Sequence, residues 1–257
     1  MSALAAGAAL TRGLRHLGGY LAFATHVATH LRALRVSPVR SVFQRQLYFS
    51  GIQGLRLTAV LGLIAGALIV TQATALVGAD SELSVRVLGW TVIGELGPLL
   101  AAIILIARSG VAVATELALM STNRETEALA SLQIPPMDYL VVPRVAALTL
   151  SSIALTVYFQ AVAVAGGLGA SALFQNASFV TQLGRFLEVL SFAEFGASMA
   201  KSAVFGAAIA VVACYHGLSI PATITSVPIA ATQAVIHGLI VVFMADVLFA
   251  YLRFVLL

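Results

Sequence analysis

The sequence predicts an all-α integral membrane protein. Hydrophobic residues make up 60% of its 257 positions and charged residues only 9%, whereas a typical soluble domain has roughly 25% charged residues. The apolar runs are long and continuous, and a helix needs about 20 such residues to cross a bilayer. A transmembrane β-barrel would instead alternate polar and apolar side chains over about ten residues. The runs therefore predict membrane-spanning helices.

The amino-terminal region is basic and only moderately apolar. Residues from about 8 to 48 mix Leu, Val and Phe with Arg, His, Gln and Ser, which predicts an amphipathic helix lying in the membrane interface. Clustered arginines favour a cytoplasmic amino terminus that contacts anionic lipid headgroups, and we expect no nucleic-acid partner. These arginines are Arg12, Arg15, Arg32, Arg35, Arg40, Arg45 and Arg56. The opening MSALAAGAAL lacks the basic start of a signal peptide, so we expect it to be retained.

Five spans follow in one transmembrane bundle, predicted over 55–252 of a single domain that covers 1–257. The first contains Gly62 and Gly66, a spacing that lets another helix approach closely. The second is too long for one straight crossing, and we expect bends at Pro98 and Gly110. The predicted spans cover residues 55–77, 88–120, 141–168, 193–215 and 229–252. This order places the carboxyl terminus on the outer side.

Two polar stretches connect the spans. Residues 121–139 separate the second and third spans, and Pro135 and Pro136 should end any helix that Glu125 begins. Glu125, Leu129 and Leu132 are spaced to share one face, so this short helix could lie in a groove of a soluble partner. Residues 169–192 predict a short helix on the outer surface.

Charged residues inside the spans need an explanation, because each costs roughly 2.5–3.5 kcal/mol at membrane depth. Lys201, the single lysine of the chain, lies either near a helix end or facing an internal cavity. Glu95 is either paired with such a cation or located at the outer interface near Trp90. Asp246 is either a proton-relay carboxylate or a structural partner of another polar helix.

Several chemistries are not supported by the sequence. Lys201 is preceded by Ala200 and has Phe195 where a phosphate-binding loop needs glycine, so the chain has no such ATP site. No G-x-S-x-G motif occurs, and we expect no enzyme activity. Cys214 is the single cysteine, which excludes an internal disulfide. His26 and His30 share a helical face, but no carboxylate is close to them in sequence, so we expect an interfacial helix and no metal site.

Four motifs in order carry a family resemblance: ELGPLLAAIILIARSG, TELALM, ETEAL and DYLVVPR. They resemble the core signature of the MlaE/YrbE permeases, the membrane subunits of ABC transporters that move phospholipid or other lipids with MCE proteins. AKSAVFG and CYHGL also stand in family-like places, so the resemblance extends over about 55–215.

The resemblance implies an interfacial helix, five spans, a cytoplasmic coupling helix between spans two and three, and location in the bacterial inner membrane. Its implied partners are a second copy of the chain, two ABC ATPase subunits that bind ATP and Mg²⁺, an MCE-domain protein and the lipid. The implied lipid-cavity residues are Glu95, Leu96, Leu99, Lys201, Val70, Ala73 and Val77. The implied ATPase-coupling residues are Arg124, Glu125, Glu127, Leu129 and Leu132.

Two other functions stay open at this point. An ion-coupled secondary transporter or channel would use Glu95, Lys201 and Asp246 as an ion pathway, and it would work without an ATPase. A membrane scaffold would have no transport role, and removing the charge of Lys201 would then have no effect.

Overall fold

The computed structural model describes residues 18–77, 82–175, 178–189, 191–221 and 223–256, which form helices and short connections with no strand among them. Among these residues, five helical segments are long and apolar enough to cross a membrane. These segments are Ser37–Ala75, Arg86–Thr122, Met137–Leu173, Phe192–Leu218 and Ile224–Arg253. The predicted all-α membrane fold is confirmed.

We number the helices α1 to α11 in chain order. Their bounds are 18–30 for α1, Ser37–Ser50 for α2, Leu55–Val77 for α3, Glu82–Gly89 for α4, Gly97–Leu105 for α5, Val111–Thr122 for α6, Glu125–Ser131 for α7, Val142–Gln175 for α8, Phe179–Val189 for α9, Phe192–Leu218 for α10 and Val227–Leu256 for α11. Helix α3 has the bounds predicted for the first span, and α9 is the short helix predicted between the third and fourth spans.

The amino-terminal region is helical, but the prediction of one continuous helix over 8–48 is wrong. A 3₁₀ turn at Leu31–Arg35 separates α1 from α2, and Val36 is extended. Pro38 lies in the first turn of α2, where its missing N–H costs no helical hydrogen bond. A helix running through Pro38 would lose one, so the chain restarts there. Residues 8–17 of the prediction lie outside the described residues.

Helices α3 and α8 pack closely through glycine. A Cβ added to Gly66 would fall on the carbonyl oxygen of Ala163, and one added to Gly166 would lie 2.8 Å from the carbonyl oxygen of Leu63. Gly62 is also close, since its Cβ would lie 3.3 Å from the carbonyl oxygen of Phe159. The predicted small-residue contact is confirmed, with α8 as its partner.

The second span is helical but irregular at two places. A π-helical turn at Trp90–Leu96 precedes α5, and another at Ile106–Gly110 precedes α6. Pro98 and Gly110, the predicted bend points, lie directly after the first turn and at the end of the second. Proline has no N–H to donate, so the hydrogen-bond pattern must adjust around it. Such turns widen a helix locally and are frequent at functional sites.

Spans three to five are longer than hydropathy predicted. Helix α8 continues to Gln175 and α11 to Leu256. Hydropathy marks the apolar crossing, but a helix continues through polar or small residues until its backbone is capped or broken. The predicted ends at 168 and 252 are therefore too early.

Candidate functional site

Three charged side chains from three spans meet inside the bundle. Lys201 of α10 places Nζ 2.6 Å from Oε2 of Glu95 and 2.6 Å from Oδ1 of Asp246. Glu95 belongs to the π-helical turn of the second span, and Asp246 to α11. Lys201 is only 5% exposed. We call these three residues the Lys201 ion cluster.

The two contacts of Lys201 differ in kind. The ammonium donates a hydrogen bond to Glu95, whereas its contact with Asp246 is an ion pair without hydrogen-bond alignment. The carbonyl oxygen of Gly94, in the same π-helical turn, lies 3.5 Å from Nζ. A buried ammonium is tolerated when oppositely charged and polar groups surround it. The π-helical turn thus brings both a carboxylate and a carbonyl to Lys201.

This geometry resolves alternatives that the sequence left open. Glu95 and Lys201 are in contact, and Asp246 has the structural partner that one interpretation expected. Lys201 lies inside α10, away from either end. It does not present a free ammonium, because both carboxylates already contact it.

A layer of neutral polar side chains continues the cluster between α8 and α10. Gln160 donates to Oγ of Ser198 at 2.7 Å and to the carbonyl oxygen of Ile93 at 3.2 Å. Ser202 lies 3.0 Å from Ser152 and 2.7 Å from Thr156, measured between hydroxyl oxygens. These side chains are not among the predicted site residues. The signal for this layer was the spacing of four residues within each helix, which places these side chains on one face.

A second ion pair ties the same three spans together. Arg253 of α11 donates to Oε1 of Glu194 of α10 at 2.9 Å. The Arg253 guanidinium carbon also lies 5.5 Å from the ring centroid of Trp90, a distance at which a cation is attracted to the ring. In the sequence, Trp90 indicates only the depth of the membrane interface.

At the other end of the bundle, Arg144 is the buried charge. It is 3% exposed, and its Nη2 lies 3.0 Å from Oε1 of Glu116 on α6. Its Nη1 donates to the carbonyl oxygen of Leu140 at 2.8 Å. Glu116 itself is exposed. The pair joins the end of the second span to the start of the third, on either side of α7.

The predicted coupling residues lie in the α7 segment, residues 124–132. Glu125, Glu127 and Arg124 are exposed, and Leu129 is half-buried against the core. Glu125 accepts a hydrogen bond of 3.2 Å from Asn123. Among the described residues, neither glutamate forms an ion pair. The segment thus presents acidic side chains to the surroundings while one leucine anchors it.

Glu125, Leu129 and Leu132 were predicted to share one face of α7, and for Leu132 this prediction is wrong. The helix ends at Ser131, so Leu132 lies in the following turn and is 70% exposed. Gln133 adopts a left-handed φ of 60°, and the N–H of Ile134 donates to the carbonyl oxygen of Leu129. This closes the carboxyl end of the helix before Pro135.

The apolar residues that the resemblance assigned to a lipid cavity lie in different surroundings. Val70 and Ala73 are buried, and Val70 packs in a cluster that includes Leu88 and Phe159. Leu96 and Leu99 are half-buried, and they follow Glu95 of the Lys201 ion cluster closely in the sequence. The side chain of Val77 lies outside the described ones. Their contact with lipid stays a prediction.

The fold gives the two histidines a carboxylate neighbour that the sequence did not predict. No carboxylate lies near His26 and His30 in sequence, but the fold brings Asp138 to 2.8 Å from His26, measured from Oδ1 to Nε2.

Helix α1 also contacts the fourth span, where the Tyr20 hydroxyl lies 2.8 Å from Nε2 of His216. Burial raises the pKa of Tyr20 to about 12, so this hydroxyl stays protonated at neutral pH.

Comparison with known proteins identifies the family. The family model "Permease MlaE" matches residues 43–252. A protein of Rickettsia typhi named "Probable ABC transporter permease protein" is 30% identical over 221 residues, which are 83% of each chain. A protein of the same description from Synechocystis is 33% identical over 168 residues, 65% of this chain and 64% of its own.

A plant protein is also similar. The chloroplastic protein TRIGALACTOSYLDIACYLGLYCEROL 1 of Arabidopsis thaliana is 33% identical over 156 residues, 59% of this chain and 43% of its own. The family match extends beyond the region of the motifs, since it includes the end of α2 and most of α11. The expectation of a transporter permease subunit, and not an enzyme, is confirmed by these matches. The chain belongs to the MlaE permease family.

Proposed function

We propose that this chain is the membrane subunit of an ATP-driven lipid transporter, with ATP and Mg²⁺ bound in separate ATPase subunits. The observation that carries the proposal is the exposed α7 segment, which lies between two long spans in a chain of a permease family. Its acidic side chains have no ion-pair partner among the described residues. Exposed charge without an intramolecular partner suits a docking surface for another subunit.

The α7 segment is well placed to transmit movement. Only Asn123 and Arg124 separate helix α7 from helix α6, and Arg124 has a left-handed φ of 58°. Leu129 packs on the core. A displacement of α7 would therefore also push on the spans that Leu129 contacts. ATPase closure would move this segment and shift the second span against its neighbours as a largely rigid element.

The transported class is a lipid, with phospholipid as the first candidate. The Arabidopsis relative is named for a glycerolipid, and the ammonium of Lys201 contacts the carboxylates of Glu95 and Asp246. Acyl chains need apolar walls and few polar groups. We place the lipid beside the half-buried residues Glu95, Leu96 and Leu99, in a cavity completed by a second copy of the chain and covered by an MCE-domain partner.

The orientation follows from the basic residues. Five exposed arginines lie on α2, on the turn before it and at the start of α3. They are Arg32, Arg35, Arg40, Arg45 and Arg56. The contact between His26 and Asp138 brings the amino-terminal helices to the same end as α7. The positive-inside preference then supports a cytoplasmic amino terminus in a bacterial inner membrane, with α7 facing the ATPase.

The ion-coupled alternative is less well supported. It requires Glu95, Lys201 and Asp246 to exchange partners with a moving ion. Lys201 instead contacts both carboxylates at 2.6 Å, which connects three spans. That arrangement suits a structural connection between spans.

Copurification with the ATPase tests the assignment of α7. The double variant Glu125→Arg/Glu127→Arg should lower ATPase recovery at least about tenfold, since reversing charges at a complementary surface costs several kcal/mol. Leu129→Ser should lower ATPase recovery even more than the double variant, because it removes the apolar contact that holds α7 against the core. The matched control is Glu188→Arg, an exposed glutamate on α9. ATPase recovery that is equal in all three variants would contradict this role of α7.

A further inference from the structure

One group of potential metal ligands lies outside the site described above. His26 and His30 come from α1, and Asp138 from the π-helical turn Met137–Val141 that precedes α8. One ligand atom from each residue lies within 4.8 Å of the other two. His26 and His30 stack with ring centroids 4.1 Å apart. We call these three residues the His–Asp cluster.

The chemistry of the cluster suits a transition metal. Two imidazoles and a carboxylate are ligands that zinc binds readily, whereas Mg²⁺ and Ca²⁺ prefer oxygen ligands. Histidines four residues apart on a helix project from one face and can bind one ion together. Asp138 belongs to a different element, so it can approach the ion from a direction that the two histidines of α1 leave open.

The surroundings of the His30 ring also suit metal binding. Its Nδ1 lies 2.9 Å from the carbonyl oxygen of His26 and 2.9 Å from the hydroxyl oxygen of Thr29. A proton on Nδ1, donated to that carbonyl, would leave the lone pair of Nε2 for a metal ion. A backbone carbonyl that holds the second ring nitrogen in this way is the usual support for a metal-bound histidine.

The His30 ring must turn for the cluster to close on an ion, because the two imidazoles stack at an interplanar angle of 9° and their in-plane lone pairs do not converge. Ligand atoms around a tetrahedral zinc lie about 3.4 Å apart, given bonds of about 2.0–2.1 Å. His26 and Asp138 are hydrogen-bonded at 2.8 Å, so an ion would replace that bond and move the two ligand atoms slightly apart. His30 is exposed, so its side chain can rotate toward them without disturbing the core.

We propose that His26, His30 and Asp138 bind one divalent transition-metal ion of the zinc class, with water completing the coordination. The ion would fasten α1 to the start of the third span, six residues after α7 ends at Ser131 and directly beside the membrane-spanning bundle. This proposal is independent of the transported substrate.

Zinc titration of the purified full chain tests the proposal. The protein carries an affinity tag without histidine, is stripped with a chelator, and is titrated with Zn²⁺ by calorimetry. We expect about one saturable site per chain and a higher melting temperature with zinc, because an ion that binds only the folded form stabilises it. Mg²⁺ should produce neither effect.

His30→Gln is the decisive variant, because the residue is exposed and its loss leaves the core unchanged. It should bind zinc at least roughly tenfold more weakly than the wild type, with an unchanged melting temperature in the absence of metal. Asp138→Asn should also weaken binding. His237→Gln, in α11 and outside the cluster, is the matched control and should keep the wild-type affinity.

Two results would overturn the metal site. One is the absence of a saturable zinc site in the wild type at micromolar concentrations. The other is equal zinc affinity in His30→Gln and the wild type, which would assign any bound zinc to other groups.

Discussion

The Lys201 ion cluster and the α7 segment both place glutamate beside long apolar helices, but they differ in burial and in partners. In the cluster, one buried ammonium contacts two carboxylates from other spans at 2.6 Å. In the α7 segment, Glu125 and Glu127 are exposed, and they form no ion pair among the described residues. Charges that satisfy one another hold helices together, whereas exposed charges are available to another molecule.

The comparison predicts opposite effects on stability and assembly. Changes in the cluster should destabilise the chain itself. Changes at the exposed glutamates of the α7 segment should leave the chain stable and affect only its association with the ATPase.

The largest effect is expected from Lys201→Met. This substitution leaves two carboxylates inside the bundle without their cation, and breaking a buried pair in this way costs about 3–5 kcal/mol. The free energy of unfolding, measured by denaturant titration in mixed micelles, should fall by this amount. The control is Met244→Ala, at an exposed position of α11, which should change it far less. Equal stability of the two variants would show that the cluster does not hold the spans together.

A double variant sharpens the same point. Adding Asp246→Asn to Lys201→Met removes one of the two stranded carboxylates, so we expect it to recover at least about 1 kcal/mol of the loss. In the wild-type background, Asp246→Asn should instead destabilise the chain, because Lys201 loses a partner. Opposite signs in the two backgrounds are the signature of direct coupling. Effects that simply add would indicate that Asp246 and Lys201 act independently.

The smallest effect on stability is expected from Glu125→Arg/Glu127→Arg. Substitutions at exposed positions without special contacts usually change stability by about 0.5 kcal/mol or less. The melting temperature of the isolated chain should therefore stay close to that of the wild type. A large decrease would mean that α7 is part of the folded core and would weaken its interpretation as a docking segment.

The sequence predicted the spans well because a bilayer imposes one strong requirement on composition. Helix α3 begins and ends where hydropathy placed it. The helix ends of α8 and α11 were less predictable, since hydropathy does not report where the backbone is capped. The break between α1 and α2 was signalled by Pro38, but it was not recognised.

Contacts between distant residues were beyond reach of one sequence. Lys201 and Glu95 are 106 positions apart, and His26 and Asp138 are 112 apart. The cost of burying a charge indicates that a partner exists, but it does not identify which face of which helix supplies it. The layer around Gln160 is different, because its spacing within α8 and α10 was visible in the sequence.

Lipid transfer in proteoliposomes tests the central claim most directly. The chain is reconstituted with its ATPase and partner protein, and movement of a fluorescent phospholipid is followed with and without ATP. We predict transfer that requires both ATP and the ATPase and persists when proton and ion gradients are collapsed. Transfer that follows a gradient and continues without the ATPase would contradict an ATP-driven lipid permease and favour the ion-coupled alternative.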